Sequence, residues 1–264
     1  MIRVFVTGAS GNVGSAIVRT IQAREGFELA GGWCREAGED LGLLAGIKPL
    51  GIAAAASLGE GLAASRPDVV VDFSAAPILE SSLKVYLDAG INAVVGTTGL
   101  TDEQLRPSIE EVKSKGLRWA VIPNYSLGTC LISDFIKKAR GFYPYVTITD
   151  RHTNEMANAP SGTACALAED ASEGAFGEVA SREVYPGVLG GKIRGVQVFS
   201  QRLPWPGPYS AHEITLARQD ELIRITIEDY TSDIYMDGVF LTAAKIALFP
   251  AGSFLRSLSE VMIG

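Results

Sequence analysis

Ile2-Arg3-Val4-Phe5-Val6-Thr7 runs directly into Gly8-Ala9-Ser10-Gly11-Asn12-Val13-Gly14, and an amphipathic stretch from Ser15 to about Ala23 follows. A short apolar run closed by glycines and continued with helical periodicity reads as the first strand, turn and helix of a parallel sheet. The spacing Gly8-x-x-Gly11-x-x-Gly14 allows a tight turn and brings backbone N–H groups to a helix start, where a pyrophosphate would be held. Gly8, Gly11 and Gly14, with Ser10, Asn12 and Val13 between them, are therefore the candidate phosphate residues of a dinucleotide cofactor. A ligand-free βα turn uses glycines in the same way. The pattern carries weight here because a strand precedes it and a helix follows.

Working outward, Phe27–Trp33 reads as a second strand. Val69–Phe73 is a continuous apolar run of the kind found in strands covered on both faces. Pro77 opens a helix to about Ala89, Ile91–Val95 is a strand, Asp102–Lys115 a charged helix and Leu117–Ile122 another strand. Strand and helix in alternation predict an α/β fold with a doubly wound parallel sheet. The pattern changes after Pro123. A long helix over Ser126–Arg140 leads to a strand at Val146–Asp150 and a helix over Ser161 to about Ala171. Val196–Ser200, His212–Ala217 and Leu222–Glu228 alternate apolar and polar residues, which predicts an antiparallel or mixed sheet with one solvated or interface face. Ser200–Ser210, with three prolines, reads as a loop, and Tyr235–Leu248 as an apolar helix returning to the first domain. The expected boundaries are 1–124 with 235–264 for dinucleotide binding, and 125–234 for substrate.

Composition agrees with a folded, two-domain chain. At roughly 150 residues per domain, 264 residues make about two, and 47% hydrophobic with 20% charged residues is far from a disordered composition. A net charge of −7 argues against a nucleic-acid partner. Without a run of about 18 apolar residues or a signal-peptide pattern, neither a membrane partner nor export is expected, and the compartment reads as cytoplasmic. Cys34, Cys130 and Cys165 are too scattered for a disulfide framework or a CxxC zinc site. The chain holds 2 histidines, His152 and His212, a count that leaves no His-cluster metal site, while a carboxylate-only Mg²⁺ site stays open.

Three further stretches carry chemistry. Cys34-Arg35-Glu36 ends the second strand, about 20 residues past the glycines, where ribose recognition belongs. Arg35 suits the 2′-phosphate of NADPH and Glu36 a ribose hydroxyl; the reading leans to NADPH with NADH open, and a solvated charged turn also fits. Gly96-Thr97-Thr98-Gly99 and Pro123-Asn124-Tyr125-Ser126 sit at successive carboxyl ends of strands, where a nicotinamide pocket would be lined. In Asp150-Arg151-His152 through Pro160-Ser161-Gly162-Thr163, the proline forces a turn and the next residues expose N–H groups at a helix start, a ready anion site. His152, a few residues upstream, is the candidate proton donor. A capped helix beside a surface histidine explains the same residues.

Taken in order, GASGNVG (8–14), VVVDFSAAP (69–77), AGINAVVGTTGLT (89–101), VIPNYSLG (121–128) and NAPSGTA (158–164) resemble the dihydrodipicolinate (4-hydroxy-tetrahydrodipicolinate) reductases, the nicotinamide-dependent reductases of lysine and diaminopimelate biosynthesis. The resemblance covers nearly the whole chain. It implies a Rossmann-like cofactor domain, a second α+β domain for substrate binding and tetramerisation, and a site between them. It also implies that Gly8, Gly11 and Gly14 hold cofactor phosphates, that Arg35 contacts NADPH, and that Phe73, Gly96, Thr98, Asn124 and Tyr125 surround the nicotinamide. His152 falls on the family's acid/base histidine. Gly162 and Thr163, with Ser161, would bind a carboxylate of a small cyclic imine or carboxylate substrate. His212 matches a histidine with a structural role.

The departures are local. The family's HHxHK becomes His152-Thr153-Asn154-Glu155-Met156, so Thr153 and Met156 line the substrate position without the usual histidine and lysine. Ser232 stands where an arginine is expected, and Asn158 replaces the aspartate of DAPSGTA. The expected activity is NAD(P)H-dependent reduction of a conjugated C=N/C=C substrate. Two alternatives stay open: a paralogous imine reductase with a less anionic substrate, and a cofactor-binding sensor or scaffold without turnover.

Overall fold

The computed structural model describes residues 1–204 and 210–263. The chain divides into two compact units, Met1–Leu127 with Ser232–Gly264 and Gly128–Thr231. In the first unit β1 (Ile2–Thr7), α1 (Asn12–Ile21), β2 (Phe27–Trp33), α2 (Leu41–Leu44), α3 (Leu58–Ser65) and β3 (Val69–Asp72) are followed by α4 (Ala76–Ala89), β4 (Asn92–Val95), α5 (Asp102–Lys115) and β5 (Trp119–Val121). The second unit carries most of α6 (Leu127–Ala139), then β6 (Tyr145–Thr153), α7 (Gly162–Asp170), β7 (Gly191–Ile193), β8 (Val196–Leu203), β9 (Ser210–Ala217) and β10 (Leu222–Asp229). The chain then gives the first unit α8 (Met236–Lys245), flanked by short 3₁₀ turns, and β11 (Phe254–Leu255) with α9 (Leu258–Ile263).

The first sheet runs β11-β5-β4-β3-β1-β2 with every pair parallel, the doubly wound, Rossmann-like class expected. The chain leaves β1 toward β2 and returns on its other side as β3. The strand order therefore reverses at β1/β3, where ligands of such sheets bind at the carboxyl ends. Val69–Asp72 is buried at every position, as its unbroken apolar run requires. Its core joins Phe5, Val70, Leu83, Tyr86 and Trp119. Pro77 sits in the first turn of α4 and Gly90 closes it in the left-handed conformation, so both ends are set by sequence.

The second sheet runs β10-β9-β6-β8-β7. It is mixed, because β6 and β8 pair in parallel across the crossover that holds α7, while the other pairs are antiparallel. β6 extends past the expected Val146–Asp150 as far as Thr153 and alternates strictly, burying Val146, Ile148, Asp150 and His152 on one face. Polar residues on that buried face concealed the last turn of the alternation. β8 likewise runs on to Leu203, inside the stretch expected to be a loop; the middle of that stretch, 205–209, lies outside the described residues. Elements not expected are α2, α3, β7, β11 and α9. Among the described residues no helix is long and apolar enough to cross a membrane.

Candidate active site

At the end of β1, Gly8 adopts φ +80, and a Cβ there would stand 2.4 Å from the Phe73 carbonyl oxygen. Its N–H donates to Trp33 O and its carbonyl accepts from Gly11. Gly14 presses on the same carbonyl, and a Cβ at Gly14 would lie 2.0 Å from Gly8 O. The three glycines thus differ in role. Gly8 makes the turn, exposed Gly11 leaves the approach to the helix open, and buried Gly14 seats α1 on β1. α1 begins at Gly11 with no side-chain cap and no acidic residue in its first turn, so its N–H groups and positive end suit a phosphate. A dinucleotide fits this cradle.

Beyond β2, Arg35 is exposed while Glu36 is half-buried. The Ser10 hydroxyl beside it holds the Glu36 carboxyl below its usual range. One Glu36 oxygen, Oε2, is buried without a hydrogen-bond partner. At β3 the buried Asp72 accepts from the Ser74 N–H at 2.8 Å, the Thr97 hydroxyl at 2.8 Å and the Tyr86 hydroxyl at 2.7 Å. That carboxylate ties the loop after β3 to the loop after β4, and neither Asp72 nor Thr97 was singled out from sequence. Gly96 leaves room for the Phe73 ring, since a Cβ there would meet Phe73 Cε1 at 2.1 Å. Thr98 is exposed beside a small cavity of about 70 Å³. The Asn124 side chain accepts from the Ser126 N–H at 2.8 Å, shaping the turn after β5.

Tyr125 is expected beside the nicotinamide. Its side chain has no exposed surface, its hydroxyl lies 3.1 Å from Ala120 O, and burial holds the phenol well above the ordinary tyrosine range. It packs edge-on against Phe73 with 5.7 Å between ring centroids, so it supports that residue from behind. A cavity of about 720 Å³ in this unit is lined by Arg66, Asp68, Asp88 and Asn92 near the amino ends of β3 and β4. That is the wrong end of a parallel sheet for the cofactor.

In the second unit, strand register builds a polar cluster. Asp150 on β6 lies opposite His212 on β9 and Ser200 on β8, and His152 lies opposite Arg202. Asp150 Oδ2 accepts from the Ser161 N–H, the Ser200 hydroxyl and Arg202 at 3.1, 3.0 and 2.9 Å. Its Oδ1 stands 3.0 Å from His152 Nε2 and 3.3 Å from His212 Nε2. Burial penalises the charge on Asp150, but His152, His212, Arg202 and Ser161 together hold the carboxyl far below the usual range. Arg202 also donates to Asn158 O at 2.8 Å, fixing the turn before the cis Ala159–Pro160 bond.

Ser161, expected at the substrate, also has a structural part. It caps α7 by accepting from the Ala164 N–H, lies 3.2 Å from His212 Nε2, and gives its own N–H to Asp150. Gly162 is exposed and Thr163 half-buried at the helix start; Thr153, the last residue of β6, and Met156 in the turn after it are half-buried. Ser232, where the resemblance expects arginine, donates to Asn12 O at 3.3 Å. Counting histidines hid one feature: the fold brings both of them against a single carboxylate. Ser200 and Arg202 were missed because only register, not local sequence, puts them beside Asp150.

Comparison with known proteins follows this geometry. Residues 2–125 match the family model for the dihydrodipicolinate reductase N-terminus and residues 128–262 that for its C-terminus. A 4-hydroxy-tetrahydrodipicolinate reductase of Desulfitobacterium hafniense is 32% identical over 100% of this chain and 97% of its own. One from Listeria welshimeri is 32% identical over 92% and 94% of the two chains. Among solved structures, a dipicolinate-bound dihydrodipicolinate reductase from Paenisporosarcina sp. TG-14 superposes with a TM-score of 0.85 at 26% identity, covering 98% of this chain and 99% of that one. An amine dehydrogenase from Mycobacterium smegmatis shares the fold at 15% identity, with a TM-score of 0.67.

Proposed function

Because the chain belongs to the dihydrodipicolinate reductase family, we propose that it reduces 4-hydroxy-tetrahydrodipicolinate with NAD(P)H, the first unit holding the cofactor and the second the substrate. The observation that carries the reading is His152, fixed on the buried face of β6 with Asp150 3.0 Å from its Nε2, just ahead of the Gly162–Thr163 helix start. When bound, the reduced nicotinamide supplies a hydride to a conjugated C=N/C=C system. His152 gives the matching proton, a contribution of about 10²–10⁴ in rate. Asp150 holds the ring, and Arg202 with Ser200 holds Asp150. The N–H groups opening α7 suit a substrate carboxylate. The tetramer implied by the resemblance is part of this proposal, supported by exposed Leu222 and Tyr230 at the sheet edge formed by β10.

Met156 and Ser232 favour a second reading, a less anionic cyclic imine, because two cations of the family pattern are absent. Arg202 does not replace them freely, since Asp150 balances its charge. The test is NAD(P)H oxidation with enzymatically generated 4-hydroxy-tetrahydrodipicolinate, on the wild type and on Met156→Lys. We expect slow wild-type turnover and a rise in kcat/KM of about tenfold in the variant, one restored ion pair being of order 1.5–3 kcal/mol. Fast wild-type turnover with no gain from lysine would remove the argument from the missing cation. Turnover confined to a monoanionic imine, lowered by the buried ammonium of Met156→Lys, would establish the second reading.

For the cofactor, the leaning to NADPH drawn from Arg35 stands beside a second reading, a role for Glu36. A buried carboxylate oxygen without a donor suits a ribose hydroxyl and repels a 2′-phosphate. Glu36→Gln should weaken NADH by about tenfold, the scale of a charge-assisted hydrogen bond, and leave NADPH unchanged or tighter. Fluorescence titration reads both. A silent Glu36→Gln together with an NADPH-selective loss in Arg35→Ala would return the preference to the arginine.

A further inference from the structure

The two oxygens of Asp150 have separate surroundings. Oδ2 is saturated by Ser161, Ser200 and Arg202. Oδ1 faces only the two imidazoles, 3.0 Å from His152 Nε2 and 3.3 Å from His212 Nε2, and makes no hydrogen bond with either; His212 Nε2 instead contacts the Ser161 hydroxyl at 3.2 Å. Asp150 is 0% exposed, His212 1% and His152 9%. Three buried groups of metal-ligating type therefore converge, with one ligand atom of each within 4.8 Å of the others.

A tetrahedral Zn²⁺ with bonds of about 2.0–2.2 Å separates its ligand atoms by about 3.3–3.6 Å. The two approaches to Oδ1, 3.0 and 3.3 Å, would open slightly to admit the ion, all three ligand atoms already lie within 4.8 Å of one another, and His212 Nε2 would exchange the Ser161 hydroxyl for the metal. Two imidazole nitrogens and a carboxylate oxygen are a donor set that Zn²⁺ accepts, with a fourth position open. The donors on Oδ2 orient the carboxylate as outer-shell groups do around ligating carboxylates. We infer that Asp150, His152 and His212 bind one Zn²⁺ per chain, and that the ion blocks His152 as a proton donor, making zinc a reversible inhibitor. Arg202 beside Asp150 cancels the one negative charge of the set, so the ion binds with moderate affinity and is removed by chelators.

Inhibition rests on the reductase reading; binding does not. The full chain has 2 histidines, so a ¹⁵N-histidine NMR spectrum holds two imidazole spin systems, and the one lost in His212→Asn assigns both. Titration with ZnCl₂ should shift both rings together and saturate at one equivalent, and EDTA should restore them. NAD(P)H oxidation should fall and recover over the same titration. His212→Asn should weaken Zn²⁺ binding at least tenfold. Rings that stay unmoved in excess Zn²⁺, with the ion taken up by cysteines, would overturn the site, as would movement of one ring alone. Rings that shift in a chain with no reductase activity would keep the metal site and remove the proposed function.

Discussion

Replacing His152 with glutamine should lower kcat by about 10²–10⁴-fold, the range supplied by a positioned general acid, while NAD(P)H affinity stays unchanged. Glutamine is chosen because its amide keeps a polar group near Asp150 and fills much of the space of the ring. The loss then reports on proton donation rather than on collapse of the cluster. Removing Asp150 is a different experiment. With asparagine there, Arg202, its side chain 17% exposed, would lose its counter-charge, and one of the two oxygens facing Ser161, Ser200, Arg202 and the two histidines would become a donor. Breaking a buried pair costs about 3–5 kcal/mol at most sites, so Asp150→Asn is expected to lower the melting temperature as well as kcat. Steady-state kinetics beside a thermal melt separate the two effects. A loss below tenfold in His152→Gln would assign the proton to another group.

Gly14→Ala should disable the cofactor site by unseating a helix. The new Cβ would stand 2.0 Å from Gly8 O and 2.7 Å from Gly8 C, backbone atoms that cannot swing aside. Gly8 cannot yield either, because its own Cα faces the Phe73 carbonyl and its N–H is held by Trp33 O. Overpacking with no escape costs about 3 kcal/mol or more, so we expect a lower melting temperature and loss of detectable NAD(P)H binding together. Gly11→Ala is the contrast: its Cβ would lie 3.2 Å from Gly8 O at an exposed position, so the fold should stand while cofactor affinity falls. A Gly14→Ala protein that melts like the wild type would refute this seating role. Differential scanning fluorimetry with and without NADH measures both variants.

These substitutions mark where the sequence was legible. The parallel half could be read because each strand is an apolar run and each connecting helix carries its own punctuation, such as Pro77 and Gly90 around α4 or Thr101 and Gly116 around α5. α2 and α3 escaped because LGLL and LGEGLAAS are short and broken by glycine, and β7 because Gly191 and Lys192 are both exposed and show no alternation. In the site, His152 was visible as a residue type next to a helix start. Its partners were not: Ser200 and Arg202 reach Asp150 from sequence separations of 50 and 52, through a register that no local pattern encodes. For Tyr125 and Ser161 the burial and the capping bonds were what local sequence hid. A hydroxyl near a ligand-binding edge looks the same in sequence whether it faces a pocket or the core.

The two strand residues of β11 have a consequence for how the protein is made on the ribosome. Phe254 and Leu255 pair with Trp119 and Ala120, and α8 also joins the first unit, although about a hundred residues of the second unit are synthesised in between. Until residue 255 has emerged, β5 remains an open edge with unpaired N–H and C=O groups, the kind of edge that invites pairing with another chain. The first unit therefore cannot complete its sheet as it leaves the exit tunnel and must wait, partly built, until the second unit and β11 have followed. Non-local closure of this kind is also the slow step in folding, because the loop entropy is lost before the contacts form.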